Sequence, residues 1–176
     1  GYTTTGFTVV GDVEALPKSL LFWRSSTHFI GGLGVIVFLL LVLPDASPFR
    51  LRMTNLELSS LSREGYRYRS SRTVWIISLV YLSIAIVETL LLWAAGMSLF
   101  DAINHAFSTV ATGGFSTRNA SIGYYDSRLI ELIVMFFMTI SAIHFGAVFT
   151  FFTTGSFKVF RNPVIIFYLL TILTGT

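Results

Sequence analysis

The sequence predicts an all-α membrane protein, and two observations lead to this prediction: its composition and the length of its apolar blocks. Of its 176 residues, 53% are hydrophobic and 12% are charged, which is about half the charged share of a soluble domain. The apolar residues form three long blocks, Leu20 to Leu43, Val74 to Ala95 and Leu129 to Phe152. A helix that crosses a bilayer core of about 30 Å needs about 20 residues. We therefore predict that each block is one membrane-spanning helix.

Two basic segments predict the orientation of these helices. Residues 45–73 carry six arginines, and residues 154–163 carry Lys158 and Arg161. Short loops rich in Lys and Arg stay on the cytoplasmic side of a membrane. Two predicted helices separate the two segments, so both can lie on that side. The net charge of +3 is therefore an orientation signal and predicts contact with membrane lipid, not with nucleic acid.

Both ends of the sequence predict an internal piece of a longer protein. The chain begins without Met in a segment rich in Thr and Gly, and residues 164–176 form an apolar stretch that is too short to cross a bilayer. The sequence contains no Cys, which excludes a disulfide framework and a thiolate metal site. No nucleophile–base pair, metal-ligand spacing or phosphate-binding loop is present either. The sequence therefore gives no reason to propose an enzyme.

A short helix between the second and third blocks predicts a re-entrant loop. Gly96 ends the second block, and Ser98 with Asp101 matches the signature of a helix start. The helix from Leu99 to about Val110 reaches about 18 Å, roughly half the membrane. The Gly-rich residues that follow cannot continue it, and polar residues then return the chain to the outside. Irregular backbone at that depth is tolerated only where protein covers it or where it lines a water-filled cavity.

The start of the chain repeats the end of this loop. Thr4-Thr5-Gly6-Phe7-Thr8 aligns with Thr112-Gly113-Gly114-Phe115-Ser116, and a spanning helix follows each. A dehydrated cation needs oxygen ligands, which backbone carbonyls provide when they face one axis, and Gly reaches the required φ/ψ values most easily. A tight turn between two helices is the alternative. The repeat favours two extended filter strands, with the ion-binding residues Thr4, Thr5, Gly6, Phe7, Ala111, Thr112, Gly113, Gly114 and Phe115.

Four stretches of the chain resemble the Trk/Ktr/HKT superfamily of potassium transporters, most closely its bacterial Trk-type membrane subunits. They are GYTTTGFT at residues 1–8, LFWRS at 21–25 with GGLGVI at 31–36, SLFDAINHAFSTVATGGFSTRN at 98–119, and Ile143-His144-Phe145. The resemblance covers nearly the whole chain except the arginine-rich segment. It implies helix–pore-loop–helix repeats around a pseudo-fourfold ion pore, with short re-entrant half-helices and one filter strand from each repeat. Gly6 and Gly114 match the signature glycines of those strands.

The same resemblance implies potassium uptake across the inner (plasma) membrane, with the potassium ion as substrate and no bound cofactor. It also implies a homodimer and a cytosolic nucleotide-binding regulatory subunit. Two alternatives stay open: a sodium-permeable member of the superfamily, and a non-conducting membrane scaffold. Gly6 favours potassium, because Ser at that filter position accompanies sodium transport in this family. Two filter strands and a gating loop of the family are absent from this chain, so we do not expect it to conduct alone.

The repeat and the resemblance divide the chain into five parts. These are a filter strand and second helix of a first repeat (1–44), a basic cytoplasmic loop (45–73), a complete second repeat (74–153), a cytoplasmic link (154–163) and the start of a third repeat (164–176).

Among the ionisable residues inside the predicted helices, we single out Arg24, Glu88 and His144. Such residues mark functional sites by default, although each also has a structural interpretation as a partner for a neighbouring helix. Arg24 shares a helix face with His28, and we expect it to pair with Glu88 or to reach the outer interface.

Overall fold

The computed structural model describes residues 1–42, 70–142, 166–168, 171, 172 and 174. These residues form the α-helices α1 (Lys18–Val42), α2 (Ser70–Ala94), α3 (Leu99–Val110) and α4 (Arg128–Ala142), and a 3₁₀ helix at Ser121–Tyr125 precedes α4. No β-strand occurs in these described ranges, which agrees with the predicted all-α class. The arginine-rich segment and the link at residues 154–163 lie outside the described residues.

The helices α1 and α2 have 25 residues each and match the first two predicted spans. Within the described part of the chain, Trp75–Ala94 of α2 passes the test of length and apolar composition for a membrane-crossing helix. The described part of α4 has 15 residues, and its predicted end at Phe152 lies outside the described residues. Large apolar side chains of α2 and α4 point outward, among them Trp75, Leu90, Leu132 and Phe136. Lipid would cover these side chains in a membrane.

The predicted short helix is confirmed with its bounds. Ser98 caps α3, since its Oγ accepts a hydrogen bond of 3.1 Å from the Asp101 N–H, which satisfies one of the free donors of the first turn. The helix ends at Val110, after which Thr112 adopts a positive φ. It packs against α1, α2 and α4, and eight of its 12 residues are buried. This burial holds the start of the following irregular segment in place.

Gly96 ends α2 with the hydrogen bonds of a Schellman motif. Its φ is +105°, its N–H donates to the Trp93 carbonyl, and the Met97 N–H donates to the Leu92 carbonyl. Leu92 and Met97 then pack with Ala102, Ile130 and Val134 in a cluster that joins the outer ends of α2, α3 and α4. A second cluster joins α1, α2 and the end of α3 through Tyr81, Ala85, Val110, Phe29 and Leu33. Together they fix α3 at both ends.

Candidate functional site

The two segments predicted to bind ions lie side by side. We call residues 4–7 the first filter segment and residues 111–115 the second filter segment. A Cβ atom added to Gly6 would collide with the carbonyl oxygen of Gly113 and would lie 3.8 Å from the Cα of Gly114. The backbone of the first segment therefore passes directly beside the backbone of the second. The repeat in the sequence corresponds to neighbours in space.

The two segments share an unusual backbone conformation at equivalent positions. Thr4 and Gly6 have φ values of +49° and +71°, and their counterparts Thr112 and Gly114 have values of +53° and +82°. A positive φ in a β-branched residue is a genuine outlier, and such strain concentrates at functional sites. Both segments are irregular and contain no β-strand, so the two extended filter strands are not confirmed. The positive φ values at Thr4 and Thr112 interrupt a regular strand.

Hydrogen bonds anchor the beginning of the second filter segment to α3. The Thr112 N–H donates to the Thr109 carbonyl, and the Gly113 N–H donates to the Ser108 carbonyl. Ala111 is the C-cap of α3 and is buried, so its side chain belongs to the packing behind the segment. Thr5, Thr112 and Gly114 are exposed. They form the open side of the pair of segments.

The two equivalent phenylalanines differ in their surroundings. Phe115 is 8% exposed, whereas Phe7 is 78% exposed. Phe115 stacks on the His28 ring, with centroids 3.7 Å apart and planes at 10°, and the guanidinium carbon of Arg24 lies 4.2 Å from its centroid. Both partners belong to α1, the helix that follows the first filter segment. The described residues offer Phe7 no comparable helix.

Two glycines of α1 bring this helix close to the start of each filter region. Added Cβ atoms at Gly31 and Gly32 would meet the Tyr2 backbone and Ala111 respectively. Small residues at this spacing allow backbones to approach closely. Gly31 and Gly32 thus bring α1 against Tyr2, which precedes the first filter segment, and against Ala111, which begins the second.

Arg24 has other partners than the predicted carboxylate. Its Nη2 donates a 3.0 Å hydrogen bond to Thr8 Oγ1, directly after the first segment, and its guanidinium lies over Phe115 in the second. Glu88 is fully buried on α2, neither of its oxygens has a hydrogen bond of standard geometry, and Thr109 of α3 is the hydroxyl beside it. The suggested pairing of Arg24 with Glu88 is therefore wrong, because each side chain faces a different part of the filter surroundings. His144, the third predicted polar residue, lies outside the described residues.

His28 fills the space directly behind the second filter segment. Its Nδ1 lies 3.1 Å from Ser108 Oγ, and the ring occupies the position where a Cβ of Gly113 would stand. The side chain is fully buried, and its Nε2 has no hydrogen-bond partner. The sequence placed His28 beside Arg24 on one face but did not identify it as part of the site. The signal that could have identified it is the i, i+4 spacing of Arg24 and His28 together with the Gly-Phe sequence of the second filter segment.

An ionic network closes the outer side of the second filter segment. Asp101 accepts hydrogen bonds from Thr117 Oγ1 at 2.6 Å and from Ser98 Oγ at 2.9 Å, and Arg118 Nη2 lies 3.4 Å from the same carboxylate. Burial alone would raise the pKa of Asp101, but these hydrogen bonds and the Arg118 charge outweigh it and lower that pKa. The carboxylate thus has a role beyond the predicted helix cap, since it fixes the residues that follow the filter.

His105 and Asn119 complete this outer network. His105 Nδ1 donates to the Asp101 carbonyl at 2.8 Å, and its Nε2 lies 3.0 Å from Ser116 Oγ, which anchors the residue after the second filter segment to α3. The Asn119 side chain accepts from the Val13 N–H at 2.8 Å and donates to Asp12 Oδ1 at 2.7 Å. The residues after the first filter segment are thereby tied to those after the second.

Comparison with known proteins places this geometry in a family. The TrkH family model, described as a cation transport protein, matches residues 1–171. The Trk system potassium uptake protein TrkH of Escherichia coli K12 is 38% identical over 165 residues, which are 93% of this chain and 34% of that protein. TrkG, a Trk system potassium uptake protein of the same organism, is 42% identical over 149 residues, or 82% of this chain and 30% of that protein.

A solved structure shares the fold. The crystal structure of the potassium transporter TrkH from Vibrio parahaemolyticus superposes with a TM-score of 0.77 and 35% identity, covering 98% of this chain and 34% of that one. The chain thus spans about a third of the length of the relatives that it matches. With the family model matched over nearly every residue, the chain belongs to the TrkH family of cation transport proteins.

Proposed function

We propose that the two filter segments form part of a potassium-selective pore in the inner membrane, lined by backbone carbonyls and Thr hydroxyls. The observation that carries this proposal is the shared positive φ of Thr4 with Thr112 and of Gly6 with Gly114 in adjacent segments. A turn that only connects two helices has no need for the same strained pattern twice at one place. The potassium transport named for the relatives supports the choice of ion.

The physical basis is the replacement of a hydration shell. An ion that leaves water needs several oxygen ligands at once, and carbonyl dipoles supply them without a permanent charge that would trap the ion. Neither filter segment contains an acidic side chain. The C-terminal end of α3, where the helix dipole is negative, precedes the second segment directly. This arrangement favours a cation over an anion and lets the ion leave again.

The proposed assembly extends beyond this chain. Residues 1–44 and 74–153 contribute one filter segment each, so a pseudo-fourfold pore needs two more repeats. A homodimer and a cytosolic nucleotide-binding subunit follow from the family resemblance and belong to this proposal. Potassium enters as the transported substrate, and the proposal assigns no cofactor.

The experiment is potassium uptake by the complete protein in cells that lack their other potassium uptake systems. We expect growth at low potassium with the wild-type protein and loss of growth with Gly6→Ser, because its side chain would collide with the Gly113 carbonyl. Gly11→Ser is the matched control, since Gly11 has open space and no positive φ. A wild-type protein that takes up no potassium, or a Gly6→Ser variant equal to Gly11→Ser, would contradict the proposal.

A further inference from the structure

Polar side chains of α1 contact the residue after the first filter segment and Phe115 of the second. Arg24 donates to Thr8, directly after the first segment, and lies over Phe115, and His28 lies one turn further along the same face. A displacement of either side chain changes the surroundings of Phe115. It would therefore change the backbone of Gly113 and Gly114 next to it.

The contact of His28 is unusually specific for a packing residue. Its ring stacks almost flat on Phe115, Ser108 fixes the rotation of the ring, and Gly113 has no Cβ that would push it away. The ring also keeps a buried Nε2 without a partner, and such an unsatisfied group destabilises a fold.

The contact of Arg24 adds a side-chain link between the residue after the first filter segment and Phe115 of the second. A guanidinium is planar and can donate a hydrogen bond at its edge while its face covers an aromatic ring. Arg24 does both, with Thr8 at its edge and Phe115 under its face. Arg24 thus adds to the backbone contact of Gly6 with Gly113 and to the Asn119 hydrogen bonds, which also hold the two segments together.

We propose that Arg24 and His28 are positioning residues that set the ion selectivity of the pore by coupling its two filter segments. This inference rests on the proposed potassium permeation. Neither residue touches the ion. Both act through Phe115 and, for Arg24, through Thr8.

The main test uses His28→Phe and Arg24→Lys in the complete protein, with Ile30→Leu as control because Ile30 lies on the exposed face of α1. Uptake of potassium and sodium gives the selectivity ratio and the KM for potassium, and thermal unfolding of the purified protein gives its stability. His28→Phe keeps a flat ring and removes both the Nδ1–Ser108 hydrogen bond and the partnerless Nε2. These two effects on stability oppose each other, so we expect a small net change in stability while the selectivity ratio falls by about tenfold, or about 1.4 kcal/mol. Arg24→Lys keeps the charge but not the planar face, and we expect a similar fall.

Thr8 provides an independent test, because it is exposed and its replacement does not disturb the core. Thr8→Val should lower the selectivity ratio. Thr8→Ser keeps a hydroxyl at this position and should have the wild-type ratio. Thr8→Val combined with Arg24→Lys should cost less than the sum of the two single changes, because both remove the same contact.

The outcomes distinguish a failure of this inference from a failure of the proposed potassium permeation. A merely structural role predicts that stability and maximal rate fall together while the selectivity ratio and KM stay at wild-type values, and that result would overturn the inference. An unchanged ratio in Thr8→Val would also overturn it, even if the α1 variants failed to fold. A wild-type protein without potassium uptake overturns the proposed function and this inference with it.

Discussion

Replacing Gly114 by Ala tests whether backbone conformation in the second filter segment controls ion preference. Gly114 has a φ of +82°, and a Cβ added there meets nothing within 4 Å. The change therefore introduces no collision, and its effect comes from the backbone alone. An L-residue in the left-handed region costs about 1–2 kcal/mol. The segment either keeps its conformation and loses that stability, or rotates and moves its carbonyls.

Gly96 offers a control with the same strain at a different place. Its φ is +105°, and an added Cβ likewise meets nothing within 4 Å. Gly96, however, ends α2 at the opposite end of α3 from the second filter segment. We expect Gly96→Ala and Gly114→Ala to lower the stability by similar amounts. Only the Gly114 variant should lose potassium preference. If its backbone strain of about 1–2 kcal/mol is relieved by moving the carbonyls, the preference should fall by about fivefold to thirtyfold.

The assay measures potassium and sodium uptake by the complete protein at matched expression, together with thermal unfolding of the purified protein. Gly6→Ala should be more severe than Gly114→Ala, because it adds a collision with the Gly113 carbonyl to a comparable strain. If Gly114→Ala kept the wild-type ion ratio, or if Gly96→Ala changed it equally, the assignment of the filter would be wrong.

Three further predictions concern the outer network and the orientation. Thr117→Val should lower the free energy of unfolding by about 1.5–3 kcal/mol, the range for a hydrogen bond to a charged group. Thr117→Ser keeps the hydroxyl that donates to Asp101 and should unfold near the wild-type temperature. The pKa of Asp101 is lowered from its ordinary value of 3.8, so the ionised carboxylate stabilises the folded state at any pH above that value. Stability should therefore fall as the pH drops below 3.8. Asp101→Asn should remove this contribution in a pH series of unfolding temperatures. A Cys introduced at Ser60 should resist an impermeant thiol reagent applied outside intact cells, because the six arginines of residues 45–73 predict a cytoplasmic location. Labelling from outside would refute this orientation.

The sequence predicted those features that depend on local signals. Gly96 and Ser98 mark the end of α2 and the start of α3 through their own backbone and side-chain chemistry, so the half-helix from Leu99 to Val110 was predicted with its bounds. The pairing of Gly6 with Gly114 followed from the repeat, and the two residues lie together in the structure.

Other features depend on contacts between residues that are far apart in the chain, and they could not be predicted from the sequence. Phe7 and Phe115 occupy the same place in the repeat, but α1 lies behind Phe115 alone, and no local pattern distinguishes them. The partner of Arg24 could not be predicted because its spacing allowed either Glu88 or the outer interface. The strained φ of Thr4 and Thr112 also escaped prediction, since Thr disfavours that conformation and surrounding contacts must impose it.

The contact between α1 and Phe115 has a consequence for how the protein is made. A chain grows from its N-terminus at about 5–20 residues per second, so Arg24 and His28 leave the ribosome roughly 5–20 s before Phe115. The second filter segment therefore matures against a helix that has already entered the membrane. An α1 inserted with inverted orientation would remove that surface before the segment is synthesised, and biogenesis would fail at the second repeat rather than at the first.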